Sequence, residues 1–168
     1  MQVRTDSKNG TPVASPSDTI EAFGVQTESC IEQWTRQLQH DPDRFTDIEQ
    51  QIDQHYRQGG GQLIASLLAE VTSNSQMDQH IEQIRENAAT PLRAPELRTI
   101  KIRLLCGLML WVTTLYCAPR RGKAVDPTEQ LVGLYPELAA LGLGKGCSPA
   151  LQYKVARLVA LSPSIDAA

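Results

Sequence analysis

Eight cations in the second half of the chain, Arg98, Lys101, Arg103, Arg120, Arg121, Lys123, Lys154 and Arg157, are the side chains best placed to do chemistry. That chemistry is contact with phosphate, because clustered Lys and Arg neutralise a polyanion and release its counterions. Residues 1–90 hold 6 Lys+Arg against 14 Asp+Glu, a balance of −8, and residues 91–168 hold 10 against 5, a balance of +5; together they give the net −3. An acidic half joined to a basic half points to nucleic acid on the basic side. Any one of these cations, taken singly, reads more simply as part of a solvated face.

Other chemistries find less support. Cys30, Cys106, Cys117 and Cys147 are widely spaced with no Cys-x-x-Cys pair, and His40, His55 and His80 lie far from them in sequence, so no metal site is expected. Asp41-Pro42-Asp43 reads as a turn followed by a helix start. Gly59-Gly60-Gly61 lacks the preceding strand and the Lys-Ser/Thr that a phosphate-cradling loop needs. No nucleophile, base and orienting group share a spacing that makes a catalytic set. The expectation is a protein that is not an enzyme and needs no cofactor.

The elements that must position the cations follow from periodicity. With 41% hydrophobic and 5% aromatic residues, the apolar side chains mostly Leu, Ile, Val and Ala, the expected class is mainly α with one β-hairpin, an α+β chain. Residues 1–20, with Gly10, Pro12 and Pro16 and no apolar period, read as a disordered arm. Residues 21–90 read as an acidic helical region. In it Cys30, Ile31, Trp34 and Leu38 mark a short helix that stops at the residues 40–43, and Ile48, Ile52, Tyr56, Leu63, Leu67 and Val71 form a stripe running past the glycines. Each of those glycines costs about 1 kcal/mol in a helix, so they either break it or are kept for close packing. Residues 91–98, rich in proline, read as a linker.

Residues 99–117 switch to period two and read as a hairpin turning at Cys106-Gly107. A two-residue turn there sets Ile102 opposite Trp111 on a dry face, with Lys101 and Arg103 opposite Val112 and Leu110 on the other. Residues 118–168 form a basic loop and C-terminal helices. Leu134, Leu138 and Leu141 share one helix that ends at the following glycines. Ser148 caps another, with Pro149 in its first position and Leu151, Val155, Leu158 and Val159 along one face.

In this order, with "RTIKIRLLCGLMLWVTTLYC", "LYPELAALGL" and "SPALQYKVARLVALSPSIDAA", residues 45 to 168 resemble the N-terminal region of bacterial insertion-sequence transposases of the DDE type. The resemblance implies a helix-turn-helix that begins at Pro149 and is cut short after Ser162-Pro163, with the catalytic domain absent or separately encoded. It implies a non-catalytic fragment that binds DNA weakly through phosphates. That family often carries a Cys-x-x-Cys-Gly knuckle after the hairpin, whereas Cys117 is followed by Ala118, Pro119, Arg120, Arg121 and Gly122. The alternative is a helical module that dimerises or binds a protein through the stripe from Ile48 to Val71. Neither a leader nor a membrane span is expected, since the apolar run over residues 104–115 is too short, and the location expected is cytoplasmic.

Overall fold

Ser15 and Pro16 open the first helix. The Ser15 hydroxyl accepts the Asp18 N–H at 3.2 Å, and Pro16 occupies the first turn, where its missing N–H costs nothing. The computed structural model describes residues 1–5, 13–88, 91–120, 133–143 and 146–161. Helix α1 spans Pro16–His40 and stops at Asp41, whose carboxylate accepts the Asp43 N–H and starts a 3-10 turn over Pro42–Arg44. Helix α2, Phe45–Val71, returns antiparallel to α1. Asn74 then caps α3, Ser75–Glu86, by accepting the Gln76 N–H at 2.9 Å. No helix among the described residues is long and apolar enough to cross a membrane.

Three antiparallel strands complete the fold, β1 over Gln2–Arg4, β2 over Glu96–Arg103 and β3 over Met109–Tyr116, in the order β1-β3-β2. The chain is therefore mostly helical with one small sheet. Two short helices follow, α4 over Pro136–Ala140 and α5 over Pro149–Leu161. Gly142, at φ +66°, reverses the chain after α4 so that the Leu143 N–H reaches the Leu138 carbonyl at 2.8 Å. Leu134 lies outside α4 and exchanges backbone hydrogen bonds with Cys117 instead.

The core lies between one face of the sheet and the helices. Val3, Ile102, Leu110 and Val112 from the sheet meet Ala65 of α2, Leu138 of α4 and Leu143, all of them buried. Glu137, 7% exposed, fastens this layer. Its carboxylate accepts the Met1 amine at 2.8 Å, the Leu115 N–H at 2.9 Å and the Thr114 hydroxyl.

Several expectations are corrected. Residues 1–20 are not an arm where they are described: Gln2–Arg4 pairs with β3, and α1 begins at Pro16. A single buried residue, Val3, anchors that strand, too little pattern to register as a period. The first helix is long, because the Ser15-Pro16 cap starts it well before Cys30. Part of the expected linker belongs to the ladder, since β2 begins at Glu96 and the Arg93 N–H donates to the Ala118 carbonyl.

The hairpin register is displaced by one residue. Ile102 pairs with Leu110 and Lys101 with Trp111, because the turn holds three residues, Leu105 to Gly107. The Leu104 N–H closes that loop on the Leu108 carbonyl at 2.9 Å, and Gly107 takes φ +92°. A shift of one moves every side chain to the opposite face, so Trp111 leaves the dry side. The α2 stripe drifts around its helix. Steps of four residues overrun a 3.6-residue turn by about 40° each, so only Ile48 stays buried while Ile52, Tyr56, Leu67 and Val71 rotate out to exposures of 37–54%.

The glycine triplet lies within α2, and close packing accounts for Gly59 and Gly61. A Cβ on Gly59 would lie 2.1 Å from Phe23 Cε2, one on Gly61 would lie 2.8 Å from Leu108 Cδ2, and one on Gly60 would meet nothing. The Phe23 ring stacks on His55 at 4.8 Å and has little room to retreat. Gly59→Ala is therefore expected to lose about 1–3 kcal/mol through overpacking, more than the roughly 1 kcal/mol that alanine gains in helix propensity. Gly60→Ala should show the gain alone. Thermal melts of the two variants test this, and a Gly59→Ala protein melting as high as Gly60→Ala would contradict the packing assignment.

Candidate nucleic-acid interface

Alternation along the strands decides which cations meet. With Val3, Ile102, Leu110 and Val112 turned to the helices, the opposite face presents Arg4, Thr99, Lys101, Arg103, Trp111 and Thr113. Trp111 lies on the central strand, paired with Arg4 on one side and Lys101 on the other. The Lys101 ammonium is 4.5 Å from the Trp111 ring centroid. Next to this row, the Thr99 and Thr113 hydroxyls bond at 2.9 Å, and Arg4 donates to the Gln2 side-chain carbonyl at 2.9 Å. The arrangement is a half-buried indole between two cations on a sheet face that also carries Arg103.

Of the six sequence-predicted cations among the described residues, Lys101 and Arg103 share this face. Arg98 pairs with Thr114 and is on the other side of the sheet, where it is engaged by Glu96 as an ion pair and rests 3.8 Å from the Tyr116 ring centroid. Desolvation lowers its pKa, but hydrogen bonding and attraction from Glu96 raise it by more, so the guanidinium titrates above its ordinary value. A cation already matched to a carboxylate is a poorer phosphate contact than Lys101. Arg120 is exposed but far along the ladder, where its N–H donates to the Pro91 carbonyl at 2.7 Å. It lies nine positions beyond Trp111, roughly 30 Å if the chain stays extended past the end of β3. Arg121 and Lys123 lie outside the described residues.

Lys154 and Arg157 are exposed on α5. That helix starts beside Arg103, whose N–H donates to the Gly146 carbonyl at 2.9 Å and whose carbonyl accepts the Ser148 N–H at 3.0 Å. The Ser148 hydroxyl then accepts the Leu151 N–H at 3.3 Å as a cap. Hence the cations of α5 leave from the Arg103 end of the sheet. Arg4 was not legible as part of this group, because its strand is too short to announce itself; only its pairing with Trp111 places it there.

Sequence spacing also concealed a Cys/His contact. His55, 7% exposed, has Nε2 2.8 Å from the Thr27 hydroxyl and Nδ1 3.9 Å from Cys30 Sγ. Its ring is stacked by Phe23 and met edge-on by Trp34 and Tyr56. A buried ring enclosed by aromatics and satisfied at both nitrogens joins α1 to α2 and leaves no approach for a substrate. Among the described residues no three His, Cys, Asp or Glu side chains come together as a metal site. No protein-family model matches the chain, and no curated protein or solved structure matches it either.

Proposed function

We propose that the chain is a non-catalytic DNA-binding module, akin to the N-terminal region of an insertion-sequence transposase, that meets the phosphate backbone with the open face of its sheet. The observation that carries this reading is the cross-strand row Arg4, Trp111 and Lys101 with Arg103 beside it. The sheet fixes the spacing of these cations before they meet phosphate, and the indole supplies an apolar surface for sugar or base. Lys154 and Arg157 are exposed on the helix that starts at the same end of the sheet. The order of helices, hairpin and capped C-terminal helix supports the transposase comparison, in which the strand-cleaving domain is a separate unit.

The contacts named here are to phosphate and carry no base code, so binding is expected in the non-specific range, about 10⁻⁴ to 10⁻⁶ M near physiological salt. Lys101→Gln with Arg103→Gln should weaken binding to all duplex sequences alike and flatten the salt slope by about 2. Fluorescence anisotropy with a labelled duplex across a salt series measures both effects. Absence of binding by the unaltered protein at low salt would remove this reading.

A further inference from the structure

Two exposed faces of opposite charge lie on different parts of this chain. On α2, Phe45, Ile52, Tyr56, Leu67 and Val71 fall within about 100° of arc, and each is at least 37% exposed. On α5, Val155 and Val159 are 51% and 70% exposed and continue the line of half-buried Leu151. Helices α1 and α2 together carry eight carboxylates against two arginines, with Glu49 and Asp53 near the α2 arc, while α5 carries Lys154 and Arg157 and no acid. A 13-residue helix is marginal in water without packing, yet α5 makes no extended contact with another element among the described residues.

We propose that α5 of a second copy of this chain docks on α2 between Ile52 and Leu67, and that the exchange is reciprocal. Lengths agree: Ile52 and Leu67 are about 22 Å apart along α2, and α5 is about 20 Å long. Gly60 sits in the middle of this segment with open space where a side chain would project, which lets a second helix approach closely. In its own chain α5 is pinned at its start by the backbone pairing of Arg103 with Gly146 and Ser148. Opposite charge favours α5 on α2 over α2 on α2, where acidic helices would face each other. Two such contacts bury on the order of 800 Å² per chain, the area of a standard stable interface.

The test is the mass of the full chain by light scattering and sedimentation, in the absence of DNA. The wild type is expected to be a dimer at about 100 μM. Gly60→Gln, whose Cβ has nothing within 4 Å in its own chain, and the double variant Val155→Glu with Val159→Glu should each lower association at least ten-fold while helical circular dichroism stays unchanged. Mixed together, the two variants should form a one-to-one heterodimer, since one of the two contacts is then intact. A monomeric wild type, or a Gly60→Gln or α5 variant that dimerises like the wild type, overturns the proposal. The latter result from the α5 variant would transfer the interface to α2 against α2.

Discussion

Leu110→Ala is expected to lower the unfolding free energy by about 2–5 kcal/mol, and its neighbour Trp111→Ala by only about 1 kcal/mol. Leu110 is fully buried on the central strand, between the sheet and the helices. Truncating it leaves a cavity that the layer cannot close without moving α2 or α4. Trp111 is one residue away but on the opposite face, where its losses are the Lys101 contact and part of an already half-solvated ring. Urea titrations of both variants measure the contrast, with an unchanged m value showing that the effect is on stability. If Trp111→Ala were the more damaging change, the hairpin would have to turn over two residues, with the indole in the core.

Replacing Glu137 should be comparably severe, and its effect should depend on pH. Glu137→Gln removes the charge that meets the buried Met1 amine, and breaking such a pair costs about 3 kcal/mol or more. Burial pushes the Glu137 pKa up, but the hydrogen bonds from the Met1 amine, the Thr114 hydroxyl and the Leu115 N–H lower it by more, to below its ordinary value of 4.5. A carboxyl whose folded pKa is depressed stabilises the fold fully above its unfolded pKa. The contribution is lost as pH falls through about 4.5 and on through the lower folded value. The stability gap between wild type and Glu137→Gln should thus be wide at neutral pH and shrink in acid. Unfolding midpoints at several pH values decide it; a gap that stays constant into acid would mean that the charge on Glu137 contributes nothing.

The residues that made the sheet legible were those with a repeating signal. Ile100, Ile102, Lys101 and Arg103 alternate cleanly, and Gly107 marks the turn, so the hairpin and the mainly helical class could be read directly. Its register could not, because two-residue and three-residue turns at Cys106-Gly107 differ only in backbone geometry, and the choice moves Trp111 and Lys101 relative to each other. Ser15-Pro16 carries the same helix-start signal as Ser148-Pro149, but proline and small polar residues around it also look like a disordered tail. Arg4 had no local signal at all: its place beside Trp111 depends on a pairing between distant parts of the chain. For the site, then, Lys101 and Arg103 were identifiable by type and position, while their separation from Arg98 and Arg120 needed the alternation and length of the observed ladder.

That distant pairing has a kinetic consequence. Val3 and Val112 are partners although they stand 109 positions apart, and Met1 meets Glu137 still later in the chain. Helices α1 and α2 are adjacent in sequence and close early, because short loops cost little entropy. During synthesis the first strand leaves the ribosome long before β3 exists, so it waits unpaired while the helical hairpin forms. The sheet acquires its third strand only once residues beyond 112 have emerged, and the carboxylate that holds the amine follows after that. The final closure therefore joins segments made far apart in time, making it the natural candidate for the slow phase of folding.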